Sequence, residues 1–293
     1  MNFIRGTSRV ATGLGIAGAT VVLLAGPASA DTSQARATAA TVTLLNTSIL
    51  DTGEVEATND GTTEIVTGQA GTVVLGGVTL LTAGVLAQDA TAETNGTSAA
   101  CAGAVGSGGS IQIGAALDCT ANIGTPDGVT LDLGGALLPN IIPGLDPINN
   151  LFTLGADAIY AECTATTAGE TGSATLVDAN IFLSVLGITT PTPLAANPGP
   201  NTQINVLNLG VVTLNEQIDN PDGSLTVNAL HIELLPTITG TTAADIIIGS
   251  VTCGPNADTV PISLVSGPAL PVALTATAAV GAVVVLRRRR QTA

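Results

Sequence analysis

This chain of 293 residues has few side chains able to do chemistry: one histidine, 22 acidic residues and four cysteines, with no lysine. The imidazole of His231, in "VNALHIELL", titrates near neutrality and has the chemistry of a general base. Strand alternation, however, places it on one face with Ala229 and Glu233, with no cysteine or arginine companion nearby in sequence. No G-x-S-x-G nucleophile motif occurs, so a structural or surface histidine is the expected role. The carboxylate pairs Glu54/Glu56 and Asp219/Asp222 have the composition of a glycosidase site. A sugar ring also needs a platform, usually aromatic, and beyond residue 30 only Phe152, Phe182 and Tyr160 are on offer. In "IDNPDGS", Asp219, Asn220 and Asp222 lie near a glycine and form a weak calcium candidate. The full acidic spacing of a calcium loop is missing, so a hairpin turn is the favoured reading there. Without lysine no phosphate-cradling P-loop can be built. The expectation is therefore no catalysis and no cofactor, with calcium as the single candidate.

The four cysteines are Cys101, Cys119, Cys163 and Cys253. No C-x-x-C spacing occurs and one histidine supplies a zinc site poorly. An even number in an exported chain argues for two disulfides, drawn from three possible connectivities.

Charge says where such a chain would reside. Its seven basic residues are Arg5, Arg9, Arg36 and the run Arg287 to Arg290. Residues 1–30 have the pattern of a signal peptide: Arg5 and Arg9, an apolar run, then Ala28-Ser29-Ala30 as the cleavage site. Residues 262–286 form an apolar segment of roughly the length that crosses a bilayer. The four arginines after it mark a stop-transfer signal, with 287–293 cytoplasmic and the rest outside. Residues 31–267 carry all 22 acidic residues against Arg36, a net of 1 − 22 = −21. No basic patch can be assembled there, which excludes nucleic acid as a partner.

Gly, Thr, Ala and Val dominate between the ends, and β-branched runs with short turns point to strands. Candidate strands include "ATVTLLNTSIL", "EVEATND", "TTEIVTG", "TVVLGGVTLL", "SIQIGAAL", "GVTLDLGG", "DAIYAECTATT", "SATLVDANIFLSVLG", "INVLNLGVVTLNEQ", "SLTVNALHIELL" and "ADIIIGSVTC". Asn59-Asp60-Gly61, Pro126-Asp127-Gly128 and Pro221-Asp222-Gly223 supply the Asp-Gly chemistry of hairpin turns. The fold class expected is all-β: an antiparallel sandwich-like ectodomain, either one large or two small units. Residues 31–136 and 154–258 would be its two β-rich regions, with the Pro- and Asn-rich stretch 137–153 a linker or long loop. A weak echo between "TSAACAGAVGSGGSIQIG" and "IYAECTATTAGETGSATLV" favours bridges closed within each half, Cys101–Cys119 and Cys163–Cys253.

From about 155 to 255, "AIYAECTATTAGETGSATLVDANI", "TLNEQ", "VNALHIELL" and "IIIGSVTC" resemble the core of the actinobacterial choice-of-anchor P family. The resemblance covers about a third of the chain. It implies an exported surface protein with a C-terminal anchor, and no particular chemistry. "LPVAL" at 270–274 lacks the threonine and glycine of a sortase signal, so a retained membrane helix is expected. The expected partners are a cell-envelope component or another surface protein, together with the membrane itself. The role would be structural, adhesive or envelope-associated, with a carbohydrate- or calcium-dependent binding module as alternative and a hydrolase third.

Overall fold

The computed structural model describes residues 32–44, 46–59, 61–70, 73–75, 78–132, 152–185, 188–206, 210–234 and 244–257. The expected leader (1–30), membrane segment (262–286) and tail (287–293) lie outside the described residues, as does nearly all of 137–153. Every regular element among the described residues is a strand, and pairing is antiparallel throughout. No helix of the described residues is long and apolar enough to cross a membrane.

One layer is a seven-stranded sheet. Its order is β17 (Thr202–Val206), β18 (Gly210–Asp219), β19 (Leu225–Leu234), β20 (Ala244–Cys253) and β1 (Gln34–Leu44). The outer edge of β1 is shared by β2 (Thr47–Asp51) along one half and β3 (Val55–Thr58) along the other. The facing layer holds two sheets end to end. The five-stranded one runs β14 (Gly169–Val177), β13 (Ala158–Thr166), β8 (Ser98–Val105), β7 (Val85–Ala92) and β4 (Glu64–Ala70). The six-stranded one runs β16 (Ile188–Pro193), β15 (Asn180–Val185), β12 (Phe152–Ala156), β11 (Val129–Asp132), β6 (Val78–Thr82) and β5 (Val73–Leu75). The chain steps between them through very short links, from β6 to β7, β12 to β13 and β14 to β15, so neighbours in one sheet remain neighbours in the other.

Strands from both sides of 137–153 share sheets: β1 pairs with β20, β8 with β13, and β11 with β12. Their inward side chains belong to one core cluster. The sequence echo is not a structural repeat. β13 and β14 form a hairpin, whereas the strand after β8, β9 (Ser110–Ile113), leaves the sheet and pairs with β10 (Cys119–Asn122). This second hairpin lies on the outer face of the five-stranded sheet and closes a smaller core of Ala87, Cys101, Val105, Ile111 and Ala158. Where it departs and rejoins, Gly84, Gly106 and Gly128 let backbones meet: a Cβ on Gly128 would strike the Gly106 backbone, and one on Gly84 the Ser107 amide.

Along the seven-stranded sheet the inward-pointing side chains change phase midway. In β19, Leu225, Val227 and Ala229 point inward, and then Leu230, Ile232 and Leu234 do. β20 changes phase between Ile248 and Val251, and β1 at Ala39 and Ala40. These changes fall on one transverse row, Asn215–Ala229–Gly249–Ala39, which the pairing ladders skip. Asn215 (φ 49°) and Gly249 (φ 68°) adopt left-handed backbone there. Amides left without ladder partners are met by side chains. Ala39 N donates to Gln88 Oε1 (2.8 Å) and Thr52 Oγ1 (3.1 Å). His231 therefore lies on the outer face with Glu233, whereas Ala229 is wholly buried, contrary to the face expected from simple alternation.

Core volume is graded along the sandwich. Between the seven- and five-stranded sheets the fully buried residues are mainly alanines, such as Ala35, Ala37, Ala90, Ala102, Ala161 and Ala165, and a Cβ on Gly249 would come within 2.7 Å of the Ala102 carbonyl oxygen. Between the seven- and six-stranded sheets they are Leu81, Leu131, Leu154, Ile181, Leu230 and Ile232. Aliphatic side chains thus fill a core with almost no aromatic volume.

Two disulfides join three layers in series, with the pairing expected from sequence. Cys163–Cys253 links the five- and seven-stranded sheets, and Cys101–Cys119 links the five-stranded sheet to the β9–β10 hairpin. The reason differs from the sequence argument, since the halves share one core and Cys163–Cys253 crosses the sandwich.

Separations of 90 and 18 residues predict unequal losses. Replacing Cys163 and Cys253 by alanine should cost about 4–5 kcal/mol in urea unfolding, and replacing Cys101 and Cys119 about 3 kcal/mol. Gly249→Ala should cost about 3 kcal/mol or more, combining positive φ with contact on the facing backbone. Gly53→Ala, with φ 77° and open space around it, should cost about 1 kcal/mol in the same melts.

Candidate functional site

Across the outer face of the five-stranded sheet runs a row of directly paired residues, Thr67, Asp89, Cys101, Glu162 and Ser173, one from each strand. The hairpin lies over its middle, held by Cys101–Cys119. Two carboxylates grip the hairpin's last rung on either side of that bridge. Asp89 Oδ2 accepts from the Ile113 amide (3.0 Å) and Glu162 Oε2 from the Cys119 amide (3.2 Å), and Ile113 and Cys119 are partners in the hairpin. Ser173 Oγ donates to Glu162 Oε1 at 2.7 Å.

A cavity opens on each side of the hairpin. One, of about 340 Å³, is lined by Leu117, Asp118, Glu162, Thr164, Thr171 and Ser173 among others. The other, of about 460 Å³, is lined by Thr67, Asp89, Ile111, Gln112 and Ile113. Asp89 is only 4% exposed, and burial pushes its carboxyl above the usual range, partly offset by the Ile113 and Ala90 amides. Its Oδ1 is buried and has no hydrogen-bond partner among the described residues.

The opposite outer face, on the seven-stranded sheet, carries His231. Its Nδ1 lies 2.8 Å from Glu216 Oε2 and its Nε2 3.4 Å from Asp245 Oδ1, within ion-pair reach but not hydrogen-bonded. Asn228 Nδ2 donates to the same Glu216 oxygen at 2.6 Å. Burial works to lower the His231 pKa, but the hydrogen bond to Glu216 and the charges of Glu216, Asp245 and Glu233 outweigh it, so the net shift is upward. The His231 bond, helped by Asn228, holds Glu216 below its ordinary range against burial. A catalytic dyad needs one imidazole nitrogen directed at a nucleophile. Here both nitrogens face carboxylates, so the cluster clasps β18, β19 and β20.

The calcium candidate forms the β18–β19 turn. Asp222 Oδ1 accepts from Ser224 N (3.0 Å) and Ser224 Oγ (2.7 Å), and Asn220 Nδ2 donates to Ser224 Oγ and Thr226 Oγ1. Asp219 is exposed at the strand end, and Gly223 provides the positive φ of 88°. These groups serve the turn, and no group of three or more His, Cys, Asp or Glu able to hold a metal ion occurs among the described residues. Glu54 and Glu56 bracket Arg36, with Glu56 Oε1 2.8 Å from Nη2 and Glu54 Oε1 3.8 Å from Nε.

Sequence inspection passed over Asp89, Glu162, Glu216 and Asp245 as single acids among many. The hydropathy pattern carries no sign of their partners, which come from other strands.

The His231–Glu216 pair predicts a pH profile. The raised His231 contributes fully below its ordinary 6.5 and loses that contribution as pH rises through its folded pKa. The lowered Glu216 contributes fully above its ordinary 4.5 and loses that as pH falls through its folded pKa. The pair is thus most stabilising between those two values. Urea melts at about pH 5.5 and about pH 8.5 should differ, with greater stability at the lower pH. Glu216→Gln should shrink that difference. No protein-family model, curated protein or solved structure matches this chain.

Proposed function

We propose that this chain is an exported cell-surface protein, delivered by a leader at 1–30 and held in the plasma membrane by 262–286, with the sandwich outside. Its role is structural, adhesive or envelope-associated, without catalysis. The observation that carries this reading is the pair of disulfides fastening three layers in series. Covalent staples of this kind form and persist in oxidising compartments. The arginine run after the apolar segment, the net charge of −21 over 31–267 and the resemblance to the choice-of-anchor P family over about 155–255 all point the same way. The engagement of both His231 nitrogens with carboxylates adds support.

The binding surface in this reading is the outer face of the five-stranded sheet, where the stapled hairpin creates two cavities, each lined in part by carboxylate and hydroxyl side chains. The partner is a cell-envelope component or another surface protein, and the acidic surface repels nucleic acid. A second reading, a carbohydrate-binding module, draws on the carboxylates and hydroxyls of Asp118, Glu162, Thr164, Thr171 and Ser173 around one cavity.

Two measurements test this. Protease treatment of intact producing cells should remove the sandwich, and the mature protein should begin at Asp31 by mass spectrometry. A chain that is protected from protease and retains residues 1–30 would defeat the export reading. The oxidised protein should also bind saturably to purified walls of its source cells. Equal binding with and without EDTA fits direct recognition, whereas loss in EDTA indicates metal-bridged carboxylates.

A further inference from the structure

We propose that the end of the sandwich where Thr32 meets Ala257 is the surface this protein turns to the lipid headgroups, with the six-stranded sheet directed away from the membrane. The proposal rests on the reading of 262–286 as the membrane anchor, and it adds which face of the folded part the bilayer meets.

The chain enters and leaves the fold at one place. Thr32 N donates to Ala257 O (2.9 Å) and Ala257 N to Thr32 O (3.0 Å), which continues the β1–β20 pairing past Cys253. Asn256 fixes the exit. Its Nδ2 donates to Gly96 O (3.1 Å) and Ala165 O (2.9 Å) and lies 3.0 Å from Ser98 Oγ, while its Oδ1 accepts from Gln34 N (3.2 Å). One side chain thus ties the exit to β1, β8, β13 and the β7–β8 connection, and Cys253 just before it is bonded to Cys163. Other connections converge on the same end. Ser33 Oγ and Asn59 Nδ2 both donate to Glu93 O at 2.8 Å, a Cβ on Gly223 of the β18–β19 turn would touch Pro255, and one on Gly254 would touch Glu170 of β14. The paired residues Ser98 and Ala165 lie here, whereas Val105 and Ala158 are paired at the opposite end of β8 and β13. From that opposite end the short links lead into the six-stranded sheet.

Reach decides what this end faces. Five residue steps separate Ala257 from 262, at most about 18 Å of chain. From Gln34 to Thr43, β1 carries the fold about 30 Å further from that point. For the sandwich to lie on its side, the exit would have to bend across the Thr32–Ala257 pair and a lateral face would have to adhere to the headgroups. Anionic leaflets draw proteins through basic clusters. Residues 31–267 contain one arginine, Arg36, which Glu56 and Glu54 already engage. No lateral face carries the charge to attract a leaflet, so the short tether sets the orientation. The leader agrees with it. Residues 1–30 end just before Asp31, so both apolar segments of the chain join the fold at the same end.

The test uses the full oxidised chain reconstituted into phosphatidylcholine–phosphatidylglycerol vesicles whose headgroups carry an energy-transfer acceptor. Single cysteines at exposed positions take the donor dye, with both native disulfides intact. The positions are Thr94→Cys in the β7–β8 connection, Thr167→Cys in the β13–β14 turn, and Ser48→Cys on β2, whose partner Thr43 lies near the far end of β1. The expected result is transfer severalfold greater at positions 94 and 167 than at 48, because transfer falls steeply with distance. Two turn positions cover the case in which one variant fails to fold. Equal transfer at all three positions, or greater transfer at 48, in a chain that floats with the vesicles overturns the orientation and leaves the anchor standing. A chain that does not float with the vesicles defeats the anchor reading, and the orientation falls with it.

Discussion

The seven-stranded sheet contributes to one core cluster along its whole length, although the side chains that point inward change phase midway along its strands. The change is made by abandoning one row of ladder pairing at Asn215, Ala229, Gly249 and Ala39, beyond which inward and outward side chains exchange places. The row must be continuous, because a change of phase in one strand alone would leave its neighbours presenting polar side chains to the core. Much else follows from it. Gln88 and Thr52 are committed to the freed amides, Gly249 cannot carry a side chain, and His231 and Asn228 both face outward although Ala229 and Leu230 between them face in. That spacing brings His231 within reach of Glu216 on the neighbouring strand.

Small side chains set the second constraint. Alanine, glycine and cysteine in β7 and β8 allow the five-stranded sheet to be buried on both faces, beneath the large sheet on one side and the hairpin on the other. A thin layer of alanine yields less hydrophobic stabilisation than leucine would. Both covalent links attach to this alanine-rich sheet, at Cys101 and at Cys163.

An acidic chain with one arginine in its folded part has few cations with which to pair its carboxylates. It uses backbone amides instead. Asp89 and Glu162 accept from the hairpin, and Asp222 from its own turn. A side chain so employed has a fixed position even where, as at Asp89, its second oxygen is buried without a donor.

The all-β class was legible because β-branched and threonine-rich runs alternate, as in β13, where Ala161, Cys163 and Ala165 are buried and Glu162, Thr164 and Thr166 face out. Of the three Asp-Gly turns read as hairpins only Pro221-Asp222-Gly223 closes one, between β18 and β19; Pro126-Asp127-Gly128 joins β10 to β11 in different sheets, and Asn59-Asp60-Gly61 lies between β3 and β4, which do not pair with each other. The alanine-rich β7 escaped notice, because alanine has little strand preference of its own and β7 is buried by layers on both faces. The phase change escaped too, since it shows only when four strands are placed side by side. By itself the sequence determined the strand-forming segments, the acidic surface, the lack of a basic or aromatic binding platform and, through cysteine number, two bridges. Only the tertiary structure decided which acids are buried, which carboxylates His231 meets and where the cavities open. Those properties depend on register between strands distant in the chain, and register is fixed by core packing and not by any local run of residues.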